Sequence, residues 1–182
     1  MRRSFRGFLP ILAAVLLAVL NSAPANAVDT PDDVGNYHHI VNRRSGLCLA
    51  VPGGSQAPAE HLNQFTCGAW ADHFWNVEYK FRDANLDRWY YIKNQNSDMC
   101  LSVDAARTES NAPITQFPCG GHPDQYWKIS GWEFRENGQL ISGEALINWN
   151  SGLCVAPLGG SSANTAPVIQ TSCASASDRI WL

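Results

Sequence analysis

Apolar and polar residues alternate along short stretches of the chain, and the same alternation recurs three times. In the first stretch Leu47, Leu49 and Val51 alternate with Cys48 and Ala50. A period of two residues places the apolar side chains on one face of a β-strand. The equivalent apolar positions of the other two stretches are Met99, Leu101, Val103, Leu153 and Val155. Turn-rich segments such as "PGGSQAP" separate the stretches, and no stretch has a convincing helical period, so the pattern predicts an all-β chain.

Other residues recur with the same period of about 53 residues. Six cysteines form three pairs with 19 positions between partners, namely Cys48 and Cys67, Cys100 and Cys119, and Cys154 and Cys173. A tryptophan follows each pair by eight positions, giving Trp75, Trp127 and Trp181. Asn, Ser, Gln and Asp also recur at fixed offsets from these residues. The pattern predicts three equivalent units, at about residues 37–88, 89–143 and 144–182, whose tryptophans share one core. We call them units one, two and three.

The start of the chain has the layout of a secretory signal peptide. Three arginines lie within the first six residues, an apolar run extends from Ile11 to Leu20, and small residues precede a cleavage site after Ala27 or Ala25. The alternative is a membrane anchor, but the run is about half the ~20 residues that a spanning helix needs. We therefore expect a signal peptide over residues 1–27, a short segment over 28–36, a folded domain over 37–182, and a secreted protein.

The net charge of the chain limits the classes of binding partner, and the expected compartment predicts the redox state of the cysteines. Removal of residues 1–27 would change the formal net charge from −3 to −6, which disfavours nucleic acids and anionic membranes as partners. An oxidising compartment makes disulfides the default state of the six cysteines. Six cysteines allow fifteen pairings, but equivalent units should pair alike. The simplest solution is one bond within each unit, in a domain that we expect to be monomeric.

The units resemble those of the ricin-type β-trefoil lectins. They read "SGLCLAV…NQFTC…HFW", "SDMCLSV…TQFPC…QYW" and "SGLCVAP…IQTSC…RIW", and the likeness covers nearly the whole mature chain. It implies a β-trefoil that binds carbohydrate at one shallow pocket per unit. In that family an Asp two positions after the first cysteine binds sugar hydroxyls, and an aromatic residue two positions before the second cysteine stacks on the sugar. Polar residues just before the Trp, and four positions before the second cysteine, complete the site.

This chain departs from the family pattern at the sugar-binding Asp. Ala50, Ser102 and Ala156 stand in its place. Alanine cannot accept a hydrogen bond from a hydroxyl, and a lost partner costs roughly 1–3 kcal/mol. The resemblance therefore implies weak sites, and it leaves open a trefoil that no longer binds sugar.

Unit two keeps the most site residues, so we expect the main sugar site there. Its candidate residues are Ser102, Asp104, Thr115, Phe117, Asp124 and Gln125. Unit one offers a secondary site at Asn63, Phe65, Asp72 and His73. Unit three lacks both the aromatic residue and the acid, because Ile169 and Thr171 occupy the positions before its second cysteine.

Several repeated polar residues also have a structural interpretation. For the repeated aspartates Asp72, Asp124 and Asp178, turn formation is favoured over ligand binding. By the alternation of the strand residues, the repeated glutamines Gln64, Gln116 and Gln170 lie on the apolar face, which faces the interior. We therefore predict that their side chains make internal hydrogen bonds. Four tryptophans are not shared between units, namely Trp70, Trp89, Trp132 and Trp149, and each is a candidate for an exposed platform that stacks on a sugar. Trp149 is the one to test first, because Arg43 and Gln95 occupy its equivalent positions.

Nothing in the sequence marks an active site. The five histidines have no metal-site spacing, and no nucleophile or phosphate-loop motif is present. We therefore predict a secreted, non-catalytic protein without a cofactor that binds glycans or polysaccharides. The alternatives are a degenerate trefoil that contacts a protein, for instance as an inhibitor, and a small hydrolase. An exposed Phe117 beside Ser102 and Gln125 would favour sugar, whereas a flat patch at that place together with a larger apolar patch elsewhere would favour a protein partner.

Overall fold

A computed structural model describes residues 36–181. The predicted signal peptide and nearly all of the segment 28–36 lie outside these residues. Within residues 36–181 no helix is long and apolar enough to cross a membrane.

The regular structure of the described residues consists of strands and short 3₁₀ helices. The strands are β1 (His38–His39), β2 (Cys48–Ala50), β3 (Glu60–His61), β4 (Asn63–Phe65), β5 (Phe74–Arg82), β6 (Arg88–Asn94), β7 (Cys100–Val103), β8 (Ile114–Phe117), β9 (Trp127–Glu136), β10 (Gln139–Asn148), β11 (Cys154–Pro157) and β12 (Val168–Thr171). The 3₁₀ helices are Pro52–Gly54, Ala71–His73, Asp104–Ala106, Pro123–Gln125, Leu158–Gly160 and Ser177–Arg179.

Antiparallel pairing joins the three units into a closed arrangement. The long hairpins β5–β6 and β9–β10 connect successive units, and β6 also pairs with β9. The repeated tryptophan of one unit pairs with the recurring asparagine of the next, as in Trp75 with Asn94 and Trp127 with Asn148. A bridge between Asn42 and Trp181 closes the cycle between the first and last units. The threefold pseudo-symmetry expected from the spacing is therefore confirmed.

The core is built from the positions that repeat with the apolar alternation. Each layer takes one residue from each unit: Ile40, Ile92 and Leu146; Leu49, Leu101 and Val155; Leu62, Ile114 and Val168; Trp75, Trp127 and Trp181. The three tryptophans are almost fully buried, and each indole N–H donates to a strand carbonyl 26 residues earlier, at 2.9 to 3.0 Å. Burial of the rings and satisfaction of their N–H groups together explain why this residue recurs.

The repeated glutamines connect neighbouring units. Gln116 is fully buried, accepts a hydrogen bond from Ser97 Oγ at 2.7 Å, and donates to the carbonyls of Ser55 and Ala57 in unit one, both at 2.9 Å. Gln64 and Gln170 make the same three bonds to their own serine and to the preceding unit in the cycle. Their predicted internal role is confirmed.

The disulfides close within the units, as the symmetry argument predicts. The bonds are Cys48–Cys67, Cys100–Cys119 and Cys154–Cys173, with Cα–Cα distances of 5.0, 5.1 and 5.1 Å. Each bond joins the strand after the first cysteine to the segment that follows its antiparallel partner. Each disulfide therefore holds together the two paired strands of its unit, and in units one and two these strands carry candidate sugar-binding residues.

Candidate functional site

Each unit carries a surface pocket at an equivalent place. The pocket lies between the two strands linked by the disulfide and the 3₁₀ helix that precedes the repeated tryptophan. The unit-one, unit-two and unit-three pockets have volumes of about 620, 190 and 290 Å³ respectively. The structure thus brings together the candidate residues of unit one and of unit two, and the three pockets differ in size and lining.

The unit-one pocket is formed by elements that the repeat pattern dictates. Ala50 on β2 lies opposite Asn63 on β4, and Phe65 lies two residues further along β4. The 3₁₀ helix Ala71–His73 supplies Asp72 and His73, and it is fixed from below because Asn94 Nδ2 donates to the Asp72 carbonyl at 2.9 Å. All four residues that we predicted for the secondary site line the pocket, together with Ala50.

Aromatic rings form one wall of the unit-one pocket. Trp70 lies with its ring centroid 6.4 Å from that of Phe65 and 5.1 Å from that of His73, both in edge-to-face geometry. The indole is 56% exposed, whereas His73 is buried. It covers the backbone of Gly68, where a Cβ atom would come within 2.0 Å of the ring. A side chain at position 68 would therefore displace Trp70 from the wall.

Polar groups face this aromatic wall. His73 Nε2 lies 3.5 Å from Asp72 Oδ2, and both side chains are nearly buried. Burial lowers the pKa of His73 from its ordinary value, because desolvation of the imidazolium outweighs the attraction of Asp72. Two buried atoms, Asn63 Oδ1 and His73 Nδ1, have no hydrogen-bond partner among the described residues. Such atoms are rare and destabilising in proteins, and hydroxyl groups of a ligand are suitable partners for them.

The unit-two pocket contains every residue that we predicted for the main site, but its polar groups bind one another. Ser102 Oγ donates to Asp124 Oδ2 at 2.5 Å, and both residues are buried together with Thr115. The serine that replaces the family's acid thus engages a carboxylate that would otherwise be available to a sugar. This pocket is also the smallest of the three.

The remaining unit-two candidates lie at the rim or beneath the pocket. Gln125 is fully buried, and its amide donates to the Pro118 carbonyl at 2.9 Å and accepts from Gly120 N at 2.8 Å, so it holds the preceding loop. Asp104 is bound by Arg107 at 2.6 Å. Phe117 is 42% exposed, as expected of a stacking residue. The exposed aromatic ring is therefore present, while the polar partners predicted beside it are engaged elsewhere.

The unit-three pocket lacks an aromatic residue, in line with its sequence. Asp178 is buried, with Oδ2 2.6 Å from Arg179 and Oδ1 3.5 Å from Arg44. Ile169 and Thr171 occupy the β-strand positions. Asp178 Oδ1 has this ion-pair contact but no hydrogen-bond partner among the described residues, and the pocket offers no ring for stacking.

The three repeated aspartates combine the two roles considered for them. Their backbone carbonyls accept hydrogen bonds from the recurring asparagines at 2.8 to 2.9 Å, which is structural. Their side chains line the pockets. Asp72 differs from the other two because neither a serine nor an arginine binds its carboxylate among the described contacts.

Trp70 is one of the four unshared tryptophans, and sequence reasoning did not assign it to the unit-one pocket. It lies three positions after the second cysteine, where units two and three have His122 and Ala176. Because it does not repeat, the repeat pattern carries no signal for it. The available signal was local, since a glycine directly after the second cysteine permits a large ring two positions later.

Among the described residues, one trio of potential metal ligands lies close together, with donor atoms within 4.8 Å: His39, Cys48 and Cys67. Both sulfur atoms are joined in a disulfide, so no thiolate is available to a metal.

Comparison with known proteins agrees with the geometry. No curated protein sequence matches the chain. Among solved structures, a designed protein with threefold symmetry, ThreeFoil, has a TM-score of 0.68 and 23% identity, over 80% of this chain and 95% of that one. The C-terminal half of an earthworm R-type lectin, solved in complex with GalNAc, has a TM-score of 0.56 and 12% identity, over 80% and 95% of the two chains.

An exo-β-1,3-galactanase from Clostridium thermocellum has a TM-score of 0.69 and 20% identity over 81% of this chain, which spans only 30% of the enzyme. At these identities the likeness establishes the fold alone. The model of the ricin-type beta-trefoil lectin domain matches residues 36–181, nearly everything that the structure describes. With its three disulfide-closed units and pseudo-threefold core, the chain belongs to the ricin-type β-trefoil lectin family, a membership that supports carbohydrate binding in general.

Proposed function

We propose that the chain is a secreted, non-catalytic carbohydrate-binding protein whose main site is the unit-one pocket. The observation that carries the proposal is the pairing of an exposed Trp70 wall with the buried polar groups of Asp72, His73 and Asn63. A pyranose has an apolar C–H face and a ring of hydroxyls. The pocket offers a complementary surface to each, in the combination of apolar lining and few polar groups that ligand sites share.

The preference for unit one over unit two rests on the state of the carboxylates. Asp72 meets a histidine at 3.5 Å, whereas Asp124 is held by a 2.5 Å hydrogen bond from Ser102. A sugar hydroxyl in unit two must compete with that charge-assisted bond, which is worth roughly 1.5–3 kcal/mol. For a ligand of about millimolar affinity, which has roughly −4 kcal/mol of binding free energy, this is a large part of the total. We therefore assign unit two a weaker, secondary site at Phe117.

The position of Asp72 also supports binding without the family's usual acid. Ala50 leaves space on β2 where the family has its Asp, and Asp72 borders the same pocket from the 3₁₀ helix. We propose that Asp72 takes over the acceptor role toward sugar hydroxyls. Its neighbour His73 would donate or accept at Nδ1, the atom that has no partner within the described residues.

A glycan and polysaccharide binding screen tests this function. The full chain is compared with Trp70→Ala and Phe117→Ala, and with Leu140→Ala as a control that removes an equally exposed apolar side chain from the β10 end. We expect binding that falls at least tenfold in Trp70→Ala, less in Phe117→Ala, and not at all in Leu140→Ala. Binding that depends on Phe117 alone would move the main site to unit two. No binding by the folded protein would favour the alternative of a protein-interaction or inhibitor module.

A further inference from the structure

A second aromatic surface lies outside the three repeat pockets. It consists of Phe81, Trp89, Tyr126 and Trp149, which we call the aromatic platform. The ring of Trp149 contacts all three others, with centroid distances of 4.9 Å to Phe81, 5.3 Å to Tyr126 and 5.8 Å to Trp89. None of these four residues lines a repeat pocket described above.

The fold does not need a tryptophan at position 149. The Trp149 backbone N–H donates to the Tyr126 carbonyl at 2.9 Å, and the equivalent Arg43 and Gln95 make the same bond at 2.8 and 2.9 Å. Two units therefore form this turn with polar, exposed side chains. The indole in unit three is an addition to the repeat, and folding of the turn does not account for it.

The platform holds its rings in place and still leaves one open to solvent. Trp89 is buried and its Nε1–H donates to Asp83 Oδ2 at 3.0 Å, while Tyr126 stacks on Tyr91 at 5.0 Å. Trp149 remains 42% exposed despite its three ring contacts. An indole that is fixed on one side and solvated on the other is preorganised for stacking, because little side-chain freedom remains to be lost on binding.

The size of the exposed area points to a small cyclic ligand. An aromatic side chain has about 150–250 Å² of surface, so the open part of Trp149 amounts to roughly 100 Å². An open area of this size matches the apolar face of one sugar ring.

Charged groups border the rings on the side of Trp89. Lys128 Nζ lies 5.8 Å from the Trp89 ring centroid and binds Asp87 Oδ2 at 2.9 Å, and both side chains are partly exposed. The two groups bind each other, but unlike the buried Ser102 and Asp124 they are partly exposed, and an ammonium with three donors and a carboxylate with about four acceptor positions keep free capacity for hydroxyls. We propose that the aromatic platform is a second carbohydrate site, independent of the repeat pockets, which stacks one pyranose ring of a polysaccharide on Trp149.

Two separate sites on one chain would act together on a polysaccharide. Ligation of one pocket raises the effective concentration of further sugar rings at the other, provided that one ligand molecule can reach both. The platform would therefore raise the affinity for long polysaccharides more than the affinity for short oligosaccharides. This inference does not depend on the unit-one pocket, since it uses none of its residues.

The test is affinity electrophoresis of the full chain through gels that contain xylan, a β-1,3-glucan, a galactan or starch. The variants are Trp149→Gln, Trp149→Phe, Trp70→Ala and the double variant Trp70→Ala/Trp149→Gln, with Leu140→Ala as the control. Glutamine already occupies the equivalent position in unit two, so Trp149→Gln should fold, and far-ultraviolet circular dichroism checks this.

We expect at least one polysaccharide to retard the protein, and Trp149→Gln to weaken that retardation at least fivefold. Trp149→Phe should keep most of it, and the double variant should lose what Trp70→Ala retains. Unchanged migration of Trp149→Gln on every retarding polymer would overturn the platform and leave the unit-one proposal intact. Absence of retardation in all gels would also overturn it, as would a self-association in sedimentation velocity that Trp149→Gln abolishes, because the surface would then be a protein contact.

Discussion

Substitution of one repeated glutamine tests whether the units are held together as the structure indicates. Gln116→Ala removes three hydrogen bonds, one from Ser97 Oγ and two to the carbonyls of Ser55 and Ala57 in the neighbouring unit. Each bond contributes about 1 kcal/mol net, so the expected loss in the free energy of unfolding is about 3 kcal/mol. Domains of this size have about 5–15 kcal/mol in total. The loss corresponds to a fall in Tm of about 6–12 °C.

The assay is equilibrium urea denaturation followed by tryptophan fluorescence, with all disulfides intact. Gln139→Ala is the matched control, because this glutamine is exposed at the start of β10. Gln64→Ala and Gln170→Ala serve as replicates at equivalent positions and should give similar losses. A loss below about 1 kcal/mol at all three positions would refute the role of the glutamines as links between units, and a large loss at only one would refute their equivalence.

Three further predictions concern the pockets and the disulfides. Ser102→Ala should lower the free energy of unfolding by about 2 kcal/mol through loss of the bond to Asp124, measured by urea denaturation; a change under 0.5 kcal/mol would contradict the importance of that bond. The pKa of His73 is held below its ordinary value of 6.5 by burial, so the unfolded chain binds more protons, and stability should fall as the pH drops through 6.5. His73→Gln should flatten that part of a pH–Tm profile, and an unchanged profile would exclude His73 as the cause. Replacement of Cys100 and Cys119 by serine should cost about 3 kcal/mol by the loop-closure estimate for 19 residues, and a loss under 1 kcal/mol would contradict it.

Much of the fold follows from the sequence because core positions tolerate little variation. An inward-facing residue such as Leu49, Leu101 or Val155 must fill the same space in each unit, so the repeat reproduces it. The buried glutamines recur for a similar reason, since each makes the same hydrogen bonds to its own serine and to two carbonyls of the neighbouring unit. The period of apolar residues and their repetition in the three units can therefore be used to predict which residues pack in the core.

The sites are less predictable because their residues differ between units. The family resemblance placed Ser102 and Asp124 at the same site, but only the structure shows that they bind each other, since this depends on side-chain rotamers. Trp70 belongs to no repeated position, and its place in the wall depends on the missing Cβ of Gly68. Neither the contact between Ser102 and Asp124 nor the position of Trp70 gives rise to a repeated pattern in the sequence.

Trp149 shows that a departure from the repeat can itself be informative. The polar residues at equivalent positions singled it out as the unshared tryptophan to test for exposure, and in the structure it is 42% exposed, compared with 56% for Trp70. What the sequence could not indicate is the set of rings beneath it. Phe81 and Trp89 come from the β5–β6 hairpin, far from Trp149 along the chain.

Nuclear magnetic resonance of the indole N–H groups gives the most direct test of the unit-one site. The seven tryptophans of the ¹⁵N-labelled protein are followed while the best-binding saccharide of the screen is added, and Trp70→Phe identifies the signal of Trp70. The indoles of Trp75, Trp127 and Trp181 are internal controls, because their N–H groups are bound to core carbonyls. We predict a saturable shift of the Trp70 signal while the three core signals stay fixed. A saccharide that binds without moving the Trp70 signal, or a protein that binds no saccharide, would contradict the proposed site.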